Sequence, residues 1–455
     1  MIKGKISSEI DDSKDVLTAF KRFLNELEDW IIECKNDLAQ SLPNGVHDQA
    51  NFTLNWKPHI IYKNDNSTLR YLKKLRDEIK NDFEEKQEWY HGYWKMNEAH
   101  HGTEHFELFL AHLWELDPGD EETVKQMVDA AEHLGNWSQE VPDWFFWEQG
   151  IFHSFHFGTE GIKKQNNNIK NNPDHFRCLN LALITYKMTG KEKYLNLAVR
   201  AGREWTRALL DSHLIPVGLN NDGGVYSIEG EVSQDYTESV TEASLENTID
   251  RVENFFASGA PEVLLNLWKI TGQTDFRRAA EKLINIIAVC VDDFEAGSGV
   301  DVLRKYRKIT GNRRFDDLII GIVKDLAPYS FTEITLEPEV NRESPEAEMS
   351  VHTSGIGLRS DKPLWYENGK KAEHNPLLLA FAAEITNNKK LAKRALDISR
   401  IYFSLAREAY PHGHEHGCSS RSVSAIARGN GRENNSGVVT AVLEPLMKKF
   451  LRVNL

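Results

Sequence analysis

Apolar and polar residues follow a helical spacing along much of this chain, and the helical runs recur around one kind of turn. In four places an apolar run ends in Thr-Gly or Thr-Asn, a charged turn follows, and a second helical run begins. These turns are Thr189-Gly190, Thr271-Gly272, Thr310-Gly311 and Thr386-Asn387. Glycine or asparagine directly after the last helical residue adopts the left-handed conformation that ends a helix. The pattern therefore predicts helical hairpins.

The hairpins recur at a usable interval. Thr310 follows Thr271 by 39 residues, and the two neighbouring intervals are close to twice that length. A fifth, looser copy turns at Asp117-Pro118-Gly119. Helical hairpins of this period cannot bury their apolar faces alone and must stack on neighbours. We therefore expect an all-α fold built from stacked hairpins.

The same pattern of apolar and polar residues divides the rest of the chain into segments. Residues 12–42 and 67–99 carry helical patterns, and residues 332–371 are rich in Glu, Pro, Ser and Gly, which indicates an extended loop with a short strand within 331–336. The helical pattern resumes at Asn375-Pro376 and closes the chain. We expect an N-terminal helical extension over residues 1–99 that packs on a catalytic domain over residues 100–455.

The repeat YKMTGKEKYLNLAVRAG resembles those of the (α/α) toroid family of carbohydrate-active enzymes, which includes polysaccharide lyases and unsaturated uronyl hydrolases. The resemblance implies an (α/α) toroid of six or seven helical hairpins with a loop-rich mouth and minor β content. Divergent units, loops of variable length, and polar and aromatic residues in the long loops also favour a closed ring over an open solenoid. A fold does not define a reaction, so the chemistry must be sought in the loops.

Composition excludes several classes of function. The chain has 455 residues, 40% of them hydrophobic, and a net charge of −14 from 55 basic and 69 acidic residues, which disfavours a nucleic-acid partner. No stretch has the length of a signal peptide core or a membrane span, so we expect a cytoplasmic protein without a membrane partner. The four cysteines lack paired spacing, which predicts neither disulfides nor a zinc ribbon.

Aromatic residues concentrate between residues 88 and 159. Aromatic rings stack on the C–H faces of sugars, so Trp94, Trp144 and Trp147 are candidates for substrate binding. Packing in the core is the more common explanation for any one tryptophan, whereas the cluster as a whole favours ligand binding. His153 and His156 alternate with phenylalanines in a strand-like or irregular segment. For His156 we weigh a catalytic role against a hydrogen-bonded histidine in the core.

His101 and His105 are four residues apart and share one face if the segment is helical, with Glu104 beside them. Two imidazoles at this spacing can ligate a metal ion. Metal-free catalysis, substrate contact and structural hydrogen bonding remain alternatives. If the helix instead starts at Gly102-Thr103, Thr103 caps it and His101 lies outside.

A polar loop contains Asn220, Asp222 and Tyr226. A lyase must neutralise the uronic carboxylate, remove the adjacent proton and protonate the departing oxygen. Asparagine, arginine, histidine or a metal ion can do the first, and tyrosine or histidine can do the others. The Asn-Asp-Gly-Gly sequence is equally well explained as a simple turn.

Two further segments carry candidate chemistry. In residues 239–256, Glu242 belongs to an acidic helical face that is either solvated or holds the carboxylates of a hydrolase, and Arg251 lies alongside it. Glu242 is a candidate for substrate binding and Arg251 for catalysis. In the C-terminal loop, His412, His414 and His416 alternate in the pattern of a metal site or a substrate loop, and Arg421 suits a carboxylate.

These features predict a lyase that cleaves poly- or oligosaccharides containing uronic acid by β-elimination. The alternatives are a hydrolase of unsaturated uronyl oligosaccharides and a non-catalytic helical-repeat binding protein. The expected cofactor is a divalent ion (zinc, manganese or calcium), and no phosphate-loop or nucleophilic-serine motif supports a nucleotide cofactor or serine chemistry. The expected partner is an acidic oligosaccharide or polysaccharide, and the oligomeric state, a homo-oligomer included, stays open.

Overall fold

Helices connected by short strands and turns make up most of the computed structural model. It describes residues 2–4, 16–39, 50–163, 169–220, 222–226, 252, 254–256, 258–290, 298–327, 334–336, 366–367, 370–371, 375–409 and 438–451. The predicted all-α class is confirmed for this part of the chain.

The helices that the structure bounds are numbered in chain order. They are α1 (Val16–Leu38), α2 (Lys57–Lys63), α3 (Asn66–Glu85), α4 (Ala99–Glu104), α5 (Ala111–Leu116), α6 (Glu121–Leu134), α7 (His175–Thr189), α8 (Glu192–Asp211), α9 (Ala260–Thr271), α10 (Thr274–Cys290), α11 (Ser298–Thr310), α12 (Asp316–Asp325), α13 (Pro376–Thr386), α14 (Lys389–Ala409) and α15 (Val438–Leu446). A 3₁₀ helix spans Asn51–Trp56, and π-helical segments span His105–Leu110 and Met447–Leu451.

The strands are short and form small antiparallel sheets. They are β1 (Ile2–Gly4), β2 (Trp89–Tyr90), β3 (Tyr93–Trp94), β4 (Asn97–Glu98), β5 (Phe145–Phe146), β6 (Ile151–Phe152), β7 (His156–Phe157), β8 (Ile169–Asn171), β9 (Gly218–Asn220), β10 (Val225–Tyr226), β11 (Ile334–Leu336), β12 (Tyr366–Glu367) and β13 (Lys370–Lys371). The pairs are β1–β11, β2–β3, β4–β7, β5–β6 and β12–β13, and β9 lies between β8 and β10. The strand predicted within residues 331–336 is confirmed as β11.

The recurring turns are the best-predicted feature of the fold. Gly190, Gly272 and Gly311 have φ values of 67°, 73° and 71°, and Asn387 has a φ of 55°, each directly after a helix. The threonine before each of them donates its hydroxyl to the carbonyl four residues earlier, at 2.8, 2.7, 2.7 and 2.6 Å. A second helix then begins within five residues of each turn. All four predicted hairpin turns are confirmed.

The chain divides into two compact units, each assembled from segments distant in sequence. The first contains residues 1–72, 290–304 and 312–455. Its described core centres on Trp30 of α1, whose ring makes edge contacts with Phe52, Trp56 and Phe403. Arg400 of α14 donates to Glu26 of α1 at 2.9 Å. Helices α1 and α14 are therefore joined by both apolar packing and an ion pair.

The second unit contains residues 73–289 and 305–311. Part of its core is the aromatic group of Phe176 on α7, Trp205 on α8 and Phe255, with ring centroids 5.4 to 6.0 Å apart. A second aromatic group packs the β2–β3 hairpin against α3 and the segment that follows α4. The predicted boundary near residue 99, between an N-terminal extension and a catalytic domain, stays a prediction.

None of the helices in the described ranges is long and apolar enough to span a bilayer.

Candidate functional site

A cluster of carboxylates and imidazoles lies where β4 runs into α4. Glu98 ends β4 and occupies the N-cap position of α4, so His100 and His101 fall in the first turn of that helix. Strand β4 pairs with β7, and Glu98 lies directly opposite His156. Side chains directly opposite in an antiparallel pair lie on the same face of the sheet. The pairing thus brings His156 to a cluster that is 55 or more residues away in sequence.

The cluster is held by two interleaved contacts along the helix. His101 Nδ1 lies 2.9 Å from Glu98 Oε1, and His100 Nε2 lies 2.8 Å from Glu104 Oε1. Glu98, His100 and His101 each offer a ligand atom, and these three atoms lie within 4.8 Å of one another. Two imidazoles and one carboxylate are a common ligand set for divalent transition metals. These three half-buried side chains could therefore hold a metal ion.

Behind the cluster, α7 supplies a buried positive charge. Arg177 Nη1 donates to Glu107 Oε1 at 2.8 Å and lies 3.9 Å from Glu104 Oε1. Asn180, one turn further along α7, donates to the other oxygen of Glu107 at 2.8 Å. Glu104 is fully buried, so its carboxylate has few orientations available. A buried carboxylate bonded to a ligating histidine fixes the ring and raises its basicity as a ligand.

The pKa values of Glu98 and Glu107 are shifted in opposite directions. Burial raises the pKa of Glu98, but the hydrogen bond and charge of His101, with the charges of His100 and His156, lower that pKa to about 2. Burial raises the pKa of Glu107, and Arg177 and Asn180 only partly oppose the rise. Glu98 is therefore an anion at any pH near neutrality, whereas Glu107 holds its proton more tightly than usual.

His105 does not join His101. It is fully buried, and its ring lies 5.3 Å from Trp89, 6.3 Å from Phe83 and 5.6 Å from Phe109, measured between centroids. Burial lowers the pKa of His105 to about 3, so the ring is neutral. His101, by contrast, is half-buried and bonded to Glu98.

The start of α4 differs from the alternative in which Thr103 caps the helix. Helix α4 begins at Ala99, and Thr103 lies inside it, donating its hydroxyl to the carbonyl of Ala99 at 2.8 Å. Gly102 gives space to the buried Tyr93, because a Cβ at this glycine would lie 2.6 Å from the Tyr93 hydroxyl oxygen. Both His100 and His101 are therefore helical, so the alternative in which Thr103 caps the helix and His101 lies outside it does not hold.

The three tryptophans predicted to bind substrate differ in exposure. Trp94 is 1% exposed and Trp144 is fully buried, where its Nε1 donates to the carbonyl of Gly158 at 3.1 Å. Trp147 is 37% exposed, and its neighbour Phe146, 39% exposed, stacks on His153 at 3.4 Å. Trp147 and Phe146 present ring surface to solvent in the observed conformation, whereas Trp94 and Trp144 act as core residues.

The loop containing Asn220, Asp222 and Tyr226 is the hairpin of β9 and β10, and its predicted turn is confirmed by Gly223 with a φ of 76°. Asp222 is exposed and accepts from the backbone of Gly224 at 2.8 Å. Strand β9 pairs with β8, and the side chain of Asn171 in β8 bonds both the amide and the carbonyl of Phe152 in β6. These contacts connect the hairpin to the strand that precedes His156.

The remaining predicted site residues lie outside the described part of the chain. These are Arg251, Glu242, Arg421, His412, His414 and His416, together with the side chain of Tyr226.

Sequence reasoning missed Glu98, His100 and Arg177. The signal for the first two was present, because a glutamate at the N-cap of a helix reaches the residue three positions on, as Glu98 does with His101. Nothing local marks Arg177, which reaches Glu107 across 70 residues of sequence.

No protein-family model, no curated protein and no solved structure matches this chain.

Proposed function

We propose that the protein is a carbohydrate-active enzyme that cleaves uronic-acid saccharides by β-elimination, with a divalent cation bound by Glu98, His100 and His101. The supporting observation is this ligand set, with Glu104 and Arg177 behind it. A cation neutralises the carboxylate of a uronic acid and so acidifies the adjacent proton. Zinc and manganese suit the mixed nitrogen and oxygen ligands better than calcium, which prefers oxygen ligands alone.

Residues near the proposed cation site are candidates for the base, the acid and the sugar-binding surface. His156 lies opposite Glu98 and is the candidate base for the proton next to the carboxylate. Tyr226, at the end of β10, stays the candidate acid for the departing oxygen. The exposed rings of Phe146 and Trp147 suit stacking on the apolar face of a sugar. The ligands Asn220, Asp222 and Arg421 for the substrate stay predictions.

The fold that we infer for this enzyme is a closed ring of helical hairpins. Support comes from the four hairpin turns of one chemistry and from the short antiparallel strands in the long connections between helices. An experimental structure of the full chain tests ring closure directly, and an open solenoid would contradict it. The cytoplasmic location also stays a prediction.

The test combines metal binding with product detection. The full chain is loaded with zinc or manganese and incubated with a panel of uronic-acid polymers and oligomers, while the ultraviolet absorbance of the conjugated double bond in the product is recorded. His100→Asn should abolish both stoichiometric metal binding and turnover. His213→Asn, at an exposed histidine, is the matched control and should leave both unchanged. Full turnover of the His100 variant would refute the proposed site.

A hydrolase is the second candidate, because two carboxylates lie here in different surroundings: Glu98 is bonded to His101, and the buried Glu107 accepts from Arg177 and Asn180. Carboxylates whose pKa values are pushed apart are the usual acid and base of glycoside hydrolysis. A new reducing end without ultraviolet absorbance would select this reaction. If no substrate is turned over and the protein binds no metal, the non-catalytic binding protein is favoured instead.

A further inference from the structure

Two loops that are distant in sequence lie side by side on α8. The first, residues 146–150, joins β5 to β6 and contains the partly exposed ring of Trp147. The second, residues 220–224, contains the turn between β9 and β10. A Cβ at Gly223 in the second loop would lie 3.7 Å from the carbonyl oxygen of Gln149 in the first. The backbones of the two loops are therefore neighbours.

Three charged side chains, spaced by four and three residues along α8, hold both loops. Arg200 donates to the successive backbone carbonyls of residues 147 and 148, to the first of them at 3.1 Å. Arg207 donates to the carbonyl of Gly223 at 2.7 Å. Glu204 lies between the two arginines and accepts from both, from Arg207 at 2.9 Å. One carboxylate therefore links the anchors of both loops.

Each loop has a glycine where its arginine approaches the backbone. Gly150 has a φ of 73°, and a Cβ there would lie 2.6 Å from Arg200 Nη1. Gly223 has a φ of 76°, and a Cβ there would lie 3.4 Å from Arg207 Nη2. Other residues are strained at such positive φ values, and at Gly150 a side chain would also displace the guanidinium. The sequence of both loops thus fits the arginine anchors.

Trp147 is a fixed ring that remains partly exposed. Its Nε1 donates to the carbonyl of Gly135 at 3.2 Å. Its ring meets Phe145 edge-on at 5.1 Å and lies 6.1 Å from Trp137, measured between centroids. A ring that is already ordered loses little conformational entropy when it stacks on the C–H face of a sugar.

The charges around this ring favour a neutral sugar. Glu148 and Asp222 are exposed acidic side chains, one on each loop. Arg200 and Arg207 are bonded to Glu204 and to loop carbonyls. Two of these five side chains are positive and three are negative, so they disfavour an anionic sugar. The hydroxyls of a neutral sugar can instead donate to the Asp222 carboxylate.

We infer that Trp147 and Asp222 together bind a neutral sugar residue, and that Glu204 is the positioning residue that keeps their loops side by side. The inference rests on the proposed saccharide substrate and adds that this substrate contains neutral sugars besides uronic acid. It indicates a heteropolysaccharide or its oligomers rather than a polymer of uronic acid alone. It does not depend on the metal ion at Glu98.

Ligand-observed NMR on the full chain without zinc measures this binding apart from turnover. The probes are the neutral tetramers cellotetraose, xylotetraose and mannotetraose, and the acidic tetragalacturonate. A neutral tetramer should bind more tightly than tetragalacturonate, and Trp147→Ala should weaken it by roughly tenfold. Asp222→Asn keeps the side-chain oxygen that accepts from Gly224 but removes the charge. It should strengthen binding of tetragalacturonate by about two- to fivefold.

Glu204→Gln tests the positioning role, because the amide nitrogen of glutamine cannot accept from the second arginine. It should weaken binding of the neutral tetramer by roughly three- to tenfold. It should also speed hydrogen exchange in both loops, at the amides of Gly150 and Gly223, which donate within their loops at 2.7 and 2.9 Å. Glu192→Gln, at an exposed residue of the same helix, is the control and should change neither. Both variants should keep the circular dichroism spectrum of the wild type.

The inference is overturned if no neutral tetramer binds at millimolar concentration, or if tetragalacturonate binds more tightly. Wild-type affinity in Trp147→Ala would overturn it too. Unchanged exchange or unchanged affinity in Glu204→Gln would remove the positioning role. These outcomes differ from a failure of the proposed function, since a chain that binds neutral tetramers but cleaves no substrate would keep the sugar site and lose the enzyme.

Discussion

At Glu98 the charge of one carboxylate is set by the histidines around it. His101 holds one oxygen at 2.9 Å, and His100 and His156 add their charges, so the pKa of Glu98 falls to about 2 although burial alone would raise it. His100 is in turn held by Glu104, which lies beside Arg177. The residues that orient the site are therefore as buried as core residues, and each can be tested apart from the ligands.

Replacing Glu104 by Gln should weaken metal binding while leaving all three ligands in place. An amide holds the His100 ring less strongly than a carboxylate does, and loss of such a partner lowers metal affinity by about 10- to 100-fold. Competition with a chromogenic chelator measures the change. Glu85→Gln, at an exposed glutamate, is the control and should bind metal as the wild type does. Unchanged affinity in Glu104→Gln would mean that this carboxylate has no influence on the ligand.

Gly102→Ala should destabilise the protein by about 1–3 kcal/mol, the usual effect of overpacking. The new Cβ would lie 2.6 Å from the hydroxyl oxygen of Tyr93, which is fully buried and cannot swing away. Gly321→Ala is the matched control, because a Cβ there meets nothing within 4 Å. At that exposed helical position the change should be neutral or stabilise by roughly 0.5–1 kcal/mol. Urea unfolding of both variants measures the difference.

His175 should make the protein less stable in mild acid. Burial lowers the pKa of His175 to about 4, and the hydrogen bonds of its ring with the carbonyls of Ser154 and Asn172 oppose this only in part. Because the unfolded chain binds a proton below about pH 6.5 and the folded chain does not, stability is complete above that pH and is lost as the pH falls towards about 4.

The measurement is the free energy of unfolding in urea between about pH 7 and pH 5. One such histidine contributes about 2 kcal/mol over this range, which is a mean slope of about 1 kcal/mol per pH unit. His175→Asn should reduce the slope by that amount, whatever its effect on stability at neutral pH, whereas His213→Asn should keep the slope of the wild type. An unchanged slope in the His175 variant would show that this ring is not neutral in the folded state.

At the scale of the element, one turn chemistry ends helices α7, α9, α11 and α13. The residue after each helix takes a left-handed conformation, and the preceding threonine satisfies a carbonyl of the last turn. Thr189 and Thr271 also accept from the amide two residues on, at 3.3 and 3.2 Å. These bonds leave few unsatisfied groups at the turn, so helix and turn are specified together by a few adjacent residues.

Gly272→Ala should therefore destabilise the protein by about 1 kcal/mol through backbone conformation alone. The φ of Gly272 is 73°, and a Cβ there would meet nothing within 4 Å, so no clash contributes. Asn387→Gly is the reciprocal change at the equivalent turn, where φ is 55°, and should be neutral or slightly stabilising. Thermal unfolding of both variants tests the pair. A loss of stability in Asn387→Gly would contradict the conformational explanation.

At the scale of the whole molecule, the net charge predicts that association between copies depends on pH. The charge is −14 at pH 7 and reaches zero near pH 5.7. Repulsion between copies is then lost just where His175 begins to reduce stability, so both effects favour aggregation. Light scattering should show the smallest particles above about pH 7 and growing particles near the isoelectric point. Constant particle size across this range would mean that net charge does not control association.

The sequence by itself determined the helical hairpins and the positions of their turns. Thr189-Gly190 and its three equivalents act through left-handed backbone and bonds within four residues, so local chemistry is sufficient. The β9–β10 turn at Gly223 was predictable for the same reason.

Only the tertiary structure decided which histidines come together in the candidate site. The spacing of His101 and His105 predicted a pair, yet His105 is fully buried against the aromatic rings of Phe83 and Trp89. His101 instead meets Glu98, and strand pairing places His156 opposite that carboxylate. Similarly, Trp94 and Trp144 are buried, whereas Trp147 is partly exposed. Residue type and spacing limit the contacts that a side chain can make. Packing between segments that are distant in sequence determines which of these contacts form.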